Sequence, residues 1–272
     1  MTVEYRAERG SNFKKRFTGT KVEGLVRMGM CYLLCKYLPL YIVTEYPKSG
    51  GSWVSQMLSE YLEVPFPRNQ FPKLQSSIMH GHYLYFPTMR NVFVVFRDGR
   101  DVMVSYYYHS LFKNERFNER LVAITRRELQ FSDYDDIESN LPKFIEYKFT
   151  HKRYPRFTWS EFVNSWLDKD VPIIKYENLL KDAVQELGRA IHKLCKIEID
   201  KNRLRYIVEK YSFKNLAKRN PGEENKHSFL RKGIAGDWRN KFSKEACEVF
   251  NYFAGKELIK LGYEKDDSWV LR

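Results

Sequence analysis

Three short segments carry side chains that could hold an anion. The first, Pro47-Lys-Ser-Gly-Gly-Ser-Trp53, sets a lysine and two serines around a pair of glycines. Gly50 and Gly51 let backbone amides approach an anion closely, Lys48 adds a mobile positive charge, and Ser49 and Ser52 add hydroxyl donors. In the second, Arg97-Asp-Gly-Arg-Asp-Val-Met-Val-Ser105, the arginine can grip a phosphate through two parallel hydrogen bonds and the serine can donate from the next helix. The third, Arg231-Lys-Gly-Ile-Ala-Gly-Asp-Trp238, frees backbone amides at Gly233 and Gly236 beside the charges of Arg231 and Lys232.

Each segment also has a plainer reading. The first is also a glycine turn between strand and helix. Arg97 has Asp98 and Asp101 as nearby ion-pair partners, and Ser105 is small enough to sit on a helix against a sheet. The third is also a basic patch of the kind nucleic acids attract. The first segment is not the GxxxxGK[ST] loop of ATP and GTP enzymes, because its lysine precedes the glycines. Of six histidines, only His80 and His82 fall between the first two segments. As alternate residues of a strand they share one face.

Stepping outward, the elements needed to position these groups are legible. The run Leu40-Tyr-Ile-Val-Thr-Glu-Tyr46 predicts a strand, followed by the glycine loop and a helix over 52–62: the unit of a phosphate-binding domain. Residues 77–83 form a short extended segment, and 91–96 an unbroken apolar run suited to a strand buried on both faces. A helix starts near Gly99. Further helices are expected over 158–167, over 178–195 with Asn178 as N-cap, over 201–211 and 213–219, and over 243–261, with a strand at 171–176. Residues 114–157, charged and aromatic, read as helical pieces and long loops forming a lid or acceptor-binding insert. Residues 25–40 read as one amphipathic helix within an N-terminal extension over 1–39. Strands alternating with helices argue for a three-layer α/β fold, P-loop-like, with a central parallel sheet, in one domain over 1–272.

The chain has 272 residues, 43% of them hydrophobic, which is enough for a full core. Its formal net charge of +13 favours anionic partners without choosing among them. Its four cysteines form no CxxC pair and have no histidine cluster at zinc spacing, so reduced thiols, no metal and a cytoplasmic setting are expected. The apolar stretch over 25–40 carries Arg27 and Lys36 and is too short to span a bilayer, so no stable membrane insertion is expected.

Taken in order, the three segments resemble those of cytosolic PAPS-dependent sulfotransferases, PAPS being 3′-phosphoadenylyl sulfate. Residues 47–53 are similar to that family's PKSGTTW or PKSGTSW loop, with Gly51 where a threonine is usual. The resemblance implies that Lys48 contacts the bridging oxygen and leaving phosphate, that Trp53 packs on adenine, and that Arg97 and Ser105 hold the 3′-phosphate. Residues 231–242 resemble RKGxxGDWKxxF, implying 3′-phosphate contacts from Arg231, Lys232 and Gly233. Tyr211-Ser-Phe-Lys214 resembles the TSF segment, adding Ser212 and Phe213 near adenine, and Tyr176 resembles the tyrosine of YED, though it also reads as a core residue.

The family's KTHxP falls on His80-Gly-His82, which puts His82 at the general base and His80 where the lysine would be. A histidine suits that work near neutral pH, and which of the two takes the proton stays open from sequence. The resemblance implies transfer of a sulfuryl group from PAPS to a hydroxyl or amine of a small-molecule acceptor, releasing PAP, with no metal and no nucleic-acid partner. A P-loop nucleotide kinase and a non-enzymatic binder of acidic glycan or nucleic acid are the alternatives. The family's short dimer motif would fall near 239–248, where Ser243-Lys244 departs from it, so that dimer is not expected.

Overall fold

The computed structural model describes residues 21–68, 70, 75–115 and 118–271. The first part of the expected N-terminal extension, residues 1–20, and residues 71–74 ahead of the extended segment expected at 77–83 lie outside the described residues.

Four parallel strands form the centre: β1 (Leu40–Glu45), β2 (Ser77–Gly81), β3 (Val92–Phe96) and β4 (Ile173–Lys175), in the order β2-β1-β3-β4. Successive side chains alternate across the sheet. Val43, Phe93 and Val95 enter one core with α2 (Gly51–Tyr61), α7 (Tyr176–Cys195) and α8 (Lys201–Lys210). Ile42, Val94 and Phe96 enter the other with α3 (Gly99–Leu111), α5 (Ile137–Thr150), α6 (Trp159–Trp166) and α10 (Lys244–Lys260). Every residue of β3 is buried, as its unbroken apolar run required. The parallel register, with Val43 opposite both His80 and Phe93, brings the carboxyl ends of β1, β2 and β3 together. In open α/β sheets that edge is where ligands sit.

Two expected elements are corrected. The single helix over 25–40 is instead α1 (Lys21–Gly29), a π-helical turn at Met30–Leu34, and then β1, which begins at Leu40. Apolar residues occur all round this stretch, so no one face could bury them: Cys31 and Cys35 are buried while Leu25, Leu33 and Tyr37 are exposed. Asn178 caps nothing, because α7 already starts at Tyr176 directly after β4. The helix breaks instead at Asp182 (φ −152°, ψ 90°), whose carboxylate accepts from Gln185 N–H at 2.9 Å and so caps the second half.

Within 114–157 lie α4 (Glu119–Glu128) and α5. Leu141, Phe144 and Ile145 of α5 are fully buried, so its middle is core. The smaller helix α9 (Phe213–Ala217) follows α8, with Ser212 as its N-cap.

Candidate functional site

Beyond the carboxyl ends of β1, β2 and β3 opens a cavity of about 1490 Å³. One drug-sized ligand typically occupies some 300–1,000 Å³, so there is room for two substrates side by side. Lys48, Gly50, Ser52, Trp53, His80, His82, Arg97, Ser105, Tyr176, Phe213, Arg231, Lys232 and Gly233 all line it. Residues separated by more than 180 positions thus meet at one surface. Ser49 and Gly51 lie just beneath that surface, in the buried floor of the loop. Ser212 is not part of the lining; its hydroxyl accepts from Asn215 N–H as the cap of α9.

The loop between β1 and α2 turns sharply. Lys48 has φ 75° and Gly50 φ 102°, both left-handed. A side chain at Gly50 would also meet the Tyr176 ring, 2.8 Å from the position of its Cβ. The turn sets the N-terminal end of α2 at the cavity, where the helix dipole favours negative charge, although Trp53 N–H there already donates to the Gly50 carbonyl at 3.0 Å. Lys48 Nζ stands 4.0 Å over the Phe229 ring. Burial pushes its pKa down to about 8, with partial relief from Glu115 and Glu45.

Glu45, the last residue of β1, was missed in the sequence and organises this corner. Its carboxylate accepts from Gly51 N–H at 2.6 Å and lies 2.9 Å from His80 Nε2. Burial would raise the pKa of Glu45, but the His80 hydrogen bond, the nearby imidazoles and the Gly51 amide hold it below the usual value. The same residue's carbonyl oxygen lies 2.9 Å from His82 Nδ1. A carbonyl only accepts, so Nδ1 of His82 carries the hydrogen and Nε2 keeps its lone pair. Burial lowers the His82 pKa to about 4, so the ring is neutral at physiological pH. His80 has its Nε2 committed to a carboxylate, whereas His82 has its Nε2 uncommitted.

Arg97 leaves β3 pointing into the cavity. Neither neighbouring aspartate takes it: Asp98 pairs with Arg100 at 2.7 Å, and Asp101 accepts from Gly236 and Trp238 N–H at 2.6 and 2.9 Å. Arg97 instead donates to the Lys48 and Ile234 carbonyls at 3.0 and 3.3 Å and stacks 4.3 Å over Tyr176. Among the described residues its buried Nε has no partner, nor do Arg231 Nε, Ser49 Oγ in the loop beneath, or Ser55 Oγ and Trp238 Nε1 outside the lining. Buried donors are normally satisfied. Arg97 and Arg231 line the cavity, where an anionic ligand would complete them.

The Arg231 loop is tied to α3 through Asp101, and Gly233 (φ 68°) leaves no room for a side chain because the Phe213 ring lies 2.4 Å from the position of its Cβ. Arg231 and Lys232 both reach the cavity, but their charge is largely spent. Asp237 pairs with them at 2.7 and 2.6 Å, and Glu224 also pairs with Arg231. Trp53, Tyr176 and Phe213 supply aromatic faces on the same side; Trp53 Nε1 is held by the Tyr211 carbonyl at 2.7 Å, and its ring meets Tyr176 edge-on at 6.2 Å. That slot suits a flat base.

His109 was also missed. Its Nδ1 lies 3.0 Å from Asn114 Oδ1, burial lowers its pKa to about 3, and it lines the cavity one helical turn beyond Ser105. Among the described residues no group of three or more His, Cys, Asp or Glu side chains could hold a metal ion.

The sulfotransferase domain family matches residues 85–262 of this chain. Guinea pig (Cavia porcellus) sulfotransferase 1E1 is 24% identical over 258 residues, covering 77% of this chain and 80% of that protein. Human sulfotransferase 2A1 is 22% identical over 267 residues, covering 82% and 85%. Two solved structures share the fold. Mouse sulfotransferase SULT7A1 complexed with PAP superposes with TM-score 0.58 at 19% identity, covering 85% of this chain and 88% of that one. Retinol dehydratase in a complex with retinol and PAP gives TM-score 0.59 at 15% identity, covering 88% and 86%.

Gly51 is a glycine because a Cβ there would lie 2.7 Å from Glu45 Cδ and 2.8 Å from His80 Nε2. Gly51→Ala should therefore destabilise the fold by about 1–3 kcal/mol through overpacking. In a Glu45→Ala/His80→Ala background, which clears both neighbours of that Cβ, most of that cost should vanish. Urea unfolding of the four proteins in the cycle measures the coupling. Costs that add within roughly 0.5 kcal/mol would contradict the steric link.

Proposed function

This chain belongs to the sulfotransferase domain family, and on that footing we propose that its cavity binds PAPS along the phosphate loop and passes the sulfuryl group to a hydroxyl or amine of a small-molecule acceptor, with His82 taking the proton. The observation that carries this reading is the set of buried polar atoms that have no partner among the described residues, Arg97 Nε and Arg231 Nε on residues that line the cavity and Ser49 Oγ in the loop beneath it. A Walker-type kinase would want its lysine after the glycines, and a passive polyanion binder has no use for enclosed donors of this kind.

The donor brings a sulfuryl group already activated by attachment to phosphate. The chain's own residues do the rest. The turn at Lys48–Gly51 and the positive end of the α2 dipole seat the 5′-phosphate, with the Ser49 and Ser52 hydroxyls beside them. Arg97 and Ser105 take the 3′-phosphate, joined by Arg231 through its free Nε. Trp53, Tyr176 and Phe213 hold the adenine. As the acceptor atom bonds to sulfur and the sulfur–oxygen bond to the phosphate breaks, the acceptor's proton passes to His82 Nε2. The electron pair stays on the phosphate, where Lys48 offsets the growing charge. His80, paired with Glu45, keeps that carboxylate from facing the sulfate as a bare negative charge. This chemistry calls for no metal, since the positive charge comes from Lys48 and Arg97.

Tyr147, Lys148, Tyr154 and Phe157 also line the cavity, with the Tyr154 ring edge-on to His82 and the Phe157 ring against Tyr46. We take this part of the 114–157 segment as the acceptor wall. Among the described residues no helix is long and apolar enough to cross a membrane. The free cysteines, with burial pushing the Cys31 thiol up to about 12, accord with a reducing cytoplasmic setting.

Two outcomes test the reading. In calorimetric titrations PAP should bind at least about tenfold more tightly than adenosine 5′-phosphate, the worth of one charge-assisted hydrogen bond to the 3′-phosphate. Arg97→Ala should close that gap, and equal affinities in the unaltered protein would overturn the 3′-phosphate assignment. The pH profile of kcat/KM reports the free enzyme. Lys48, with its pKa near 8, loses its charge as pH rises through that value, so kcat/KM should fall on the alkaline side, while His82 stays an unprotonated base down to about pH 4. Lys48→Arg should move the alkaline limb up by more than about one pH unit. A limb that stays in place would remove Lys48 from this role.

A further inference from the structure

The acceptor side of the cavity holds a buried lysine with no acid to meet it. Lys148 on α5 is 7% exposed. Its Nζ donates to the Tyr154 carbonyl at 3.0 Å and stands 3.8 Å over the Tyr106 ring. No carboxylate among the described residues lies within ion-pair distance of it. Burial alone lowers its pKa to about 7, with no neighbouring charge opposing the shift.

The carboxylates that line the cavity are already engaged. Glu23 pairs with Arg27 at 2.9 Å, Glu115 with Arg68 at 3.1 Å, and Glu45 with His80 and Gly51. Arg120 and Arg156, exposed at the rim, have no carboxylate partner among the described residues. The acceptor half is therefore a cationic chamber with aromatic walls. It is also close to the chemistry. Tyr154, whose carbonyl holds Lys148, sets its ring edge-on to His82 at 5.6 Å, and the Tyr106 ring under Lys148 has its centroid 6.2 Å from that of His109. A molecule presenting its nucleophile to His82 and lying along this wall would carry its far end to Lys148.

Resting on the sulfotransferase reading, we propose that the acceptor is a ring-bearing hydroxy or amino carboxylic acid whose carboxylate binds Lys148. A monoanion matches the single ammonium. A doubly charged group would leave net charge uncompensated in a buried place, which is costly. A buried lysine facing a carbonyl and a π-face gains most from a ligand that brings the missing negative charge. Arg120 and Arg156 would draw such an acid toward the mouth from solution.

The test uses matched pairs that differ only in charge: 4-hydroxyphenylacetate against its amide, and 6-hydroxy-2-naphthoate against its amide. Binding to the PAP-saturated protein is measured by calorimetry, and kcat/KM is measured with PAPS. The acid of each pair should be favoured by about tenfold or more, one charge-assisted hydrogen bond. Lys148→Met should erase the preference and leave PAP affinity unchanged, which also certifies that the variant folds; Lys148→Gln serves if it does not. Amides that match or beat the acids in the unaltered protein, or failure of both members to bind, overturn the proposal. A preference that survives in Lys148→Met overturns the role of the lysine. Failure of PAP itself to bind is a separate result that sinks the sulfotransferase reading on which this one rests.

Discussion

The Glu45 carboxylate is buried at the head of the loop proposed to receive the donor's phosphate, and the rest of the corner is arranged around that contradiction. A bare negative charge there would repel any phosphate or sulfate. It is tolerated because the Gly51 amide and His80 Nε2 both meet it, at 2.6 and 2.9 Å. The consequences spread from this one residue. Gly51 can carry no side chain, since Glu45 and His80 fill its Cβ position. His80 is held to the carboxylate, while the backbone carbonyl of the same glutamate fixes the tautomer of His82 and leaves its Nε2 open to the cavity. One residue at a strand end thus sets the glycine, separates the two histidines by role and limits where the substrate's negative charge can rest.

The balance of charge around the cavity follows a similar logic. Half of the lysines and arginines that line it are already matched. Asp237 absorbs Arg231 and Lys232, Glu115 absorbs Arg68, and Asp98 takes Arg100 away from the cavity, where it packs 3.7 Å from Trp238. Among the described residues the positive charge left without a carboxylate is Lys48 and Arg97 toward the phosphate loop, and Lys148 with Arg120 and Arg156 elsewhere in the lining. These unmatched charges, and not the overall +13 of the chain, say where anionic groups should lie. Asp101 contributes by position: it pins Gly236 and Trp238 to α3 and so keeps the third loop over the cavity.

Much of this was legible in the sequence because it is local. The run at 40–46 reads as a strand and the unbroken apolar run at 91–96 as one buried on both faces, with a glycine loop between the first strand and the next helix, and all three elements are found. The three anion-binding segments, and all but a few of their expected residues, meet at one cavity. What local reading missed depends on contacts across the chain. Glu45 looked like the polar end of a strand; its meaning comes from His80, thirty-five positions away, and from the glycine opposite. Ser212 looked like a nucleotide contact by resemblance, yet its hydroxyl is taken by the nearer task of capping α9. Asn178 looked like a helix cap, but β4 runs straight into α7 and Asp182 does the capping one turn later. Lys148 fell in a stretch with no clear periodicity, and only the packing of α5 reveals that its ammonium is buried without an acid.

The central claim is that Glu45 commits His80 and leaves His82 as the base, and a side-by-side measurement of two variants tests it most directly. His82→Ala should lower kcat by about 10²–10⁴, the usual loss when a general base is removed, with PAP affinity nearly unchanged. His80→Ala, which leaves Glu45 unpaired beside the anion, should weaken PAP binding more than it lowers kcat. If His82→Ala keeps kcat within about tenfold, well short of the range for a general base, or if His80→Ala is the variant that abolishes turnover, the account is contradicted.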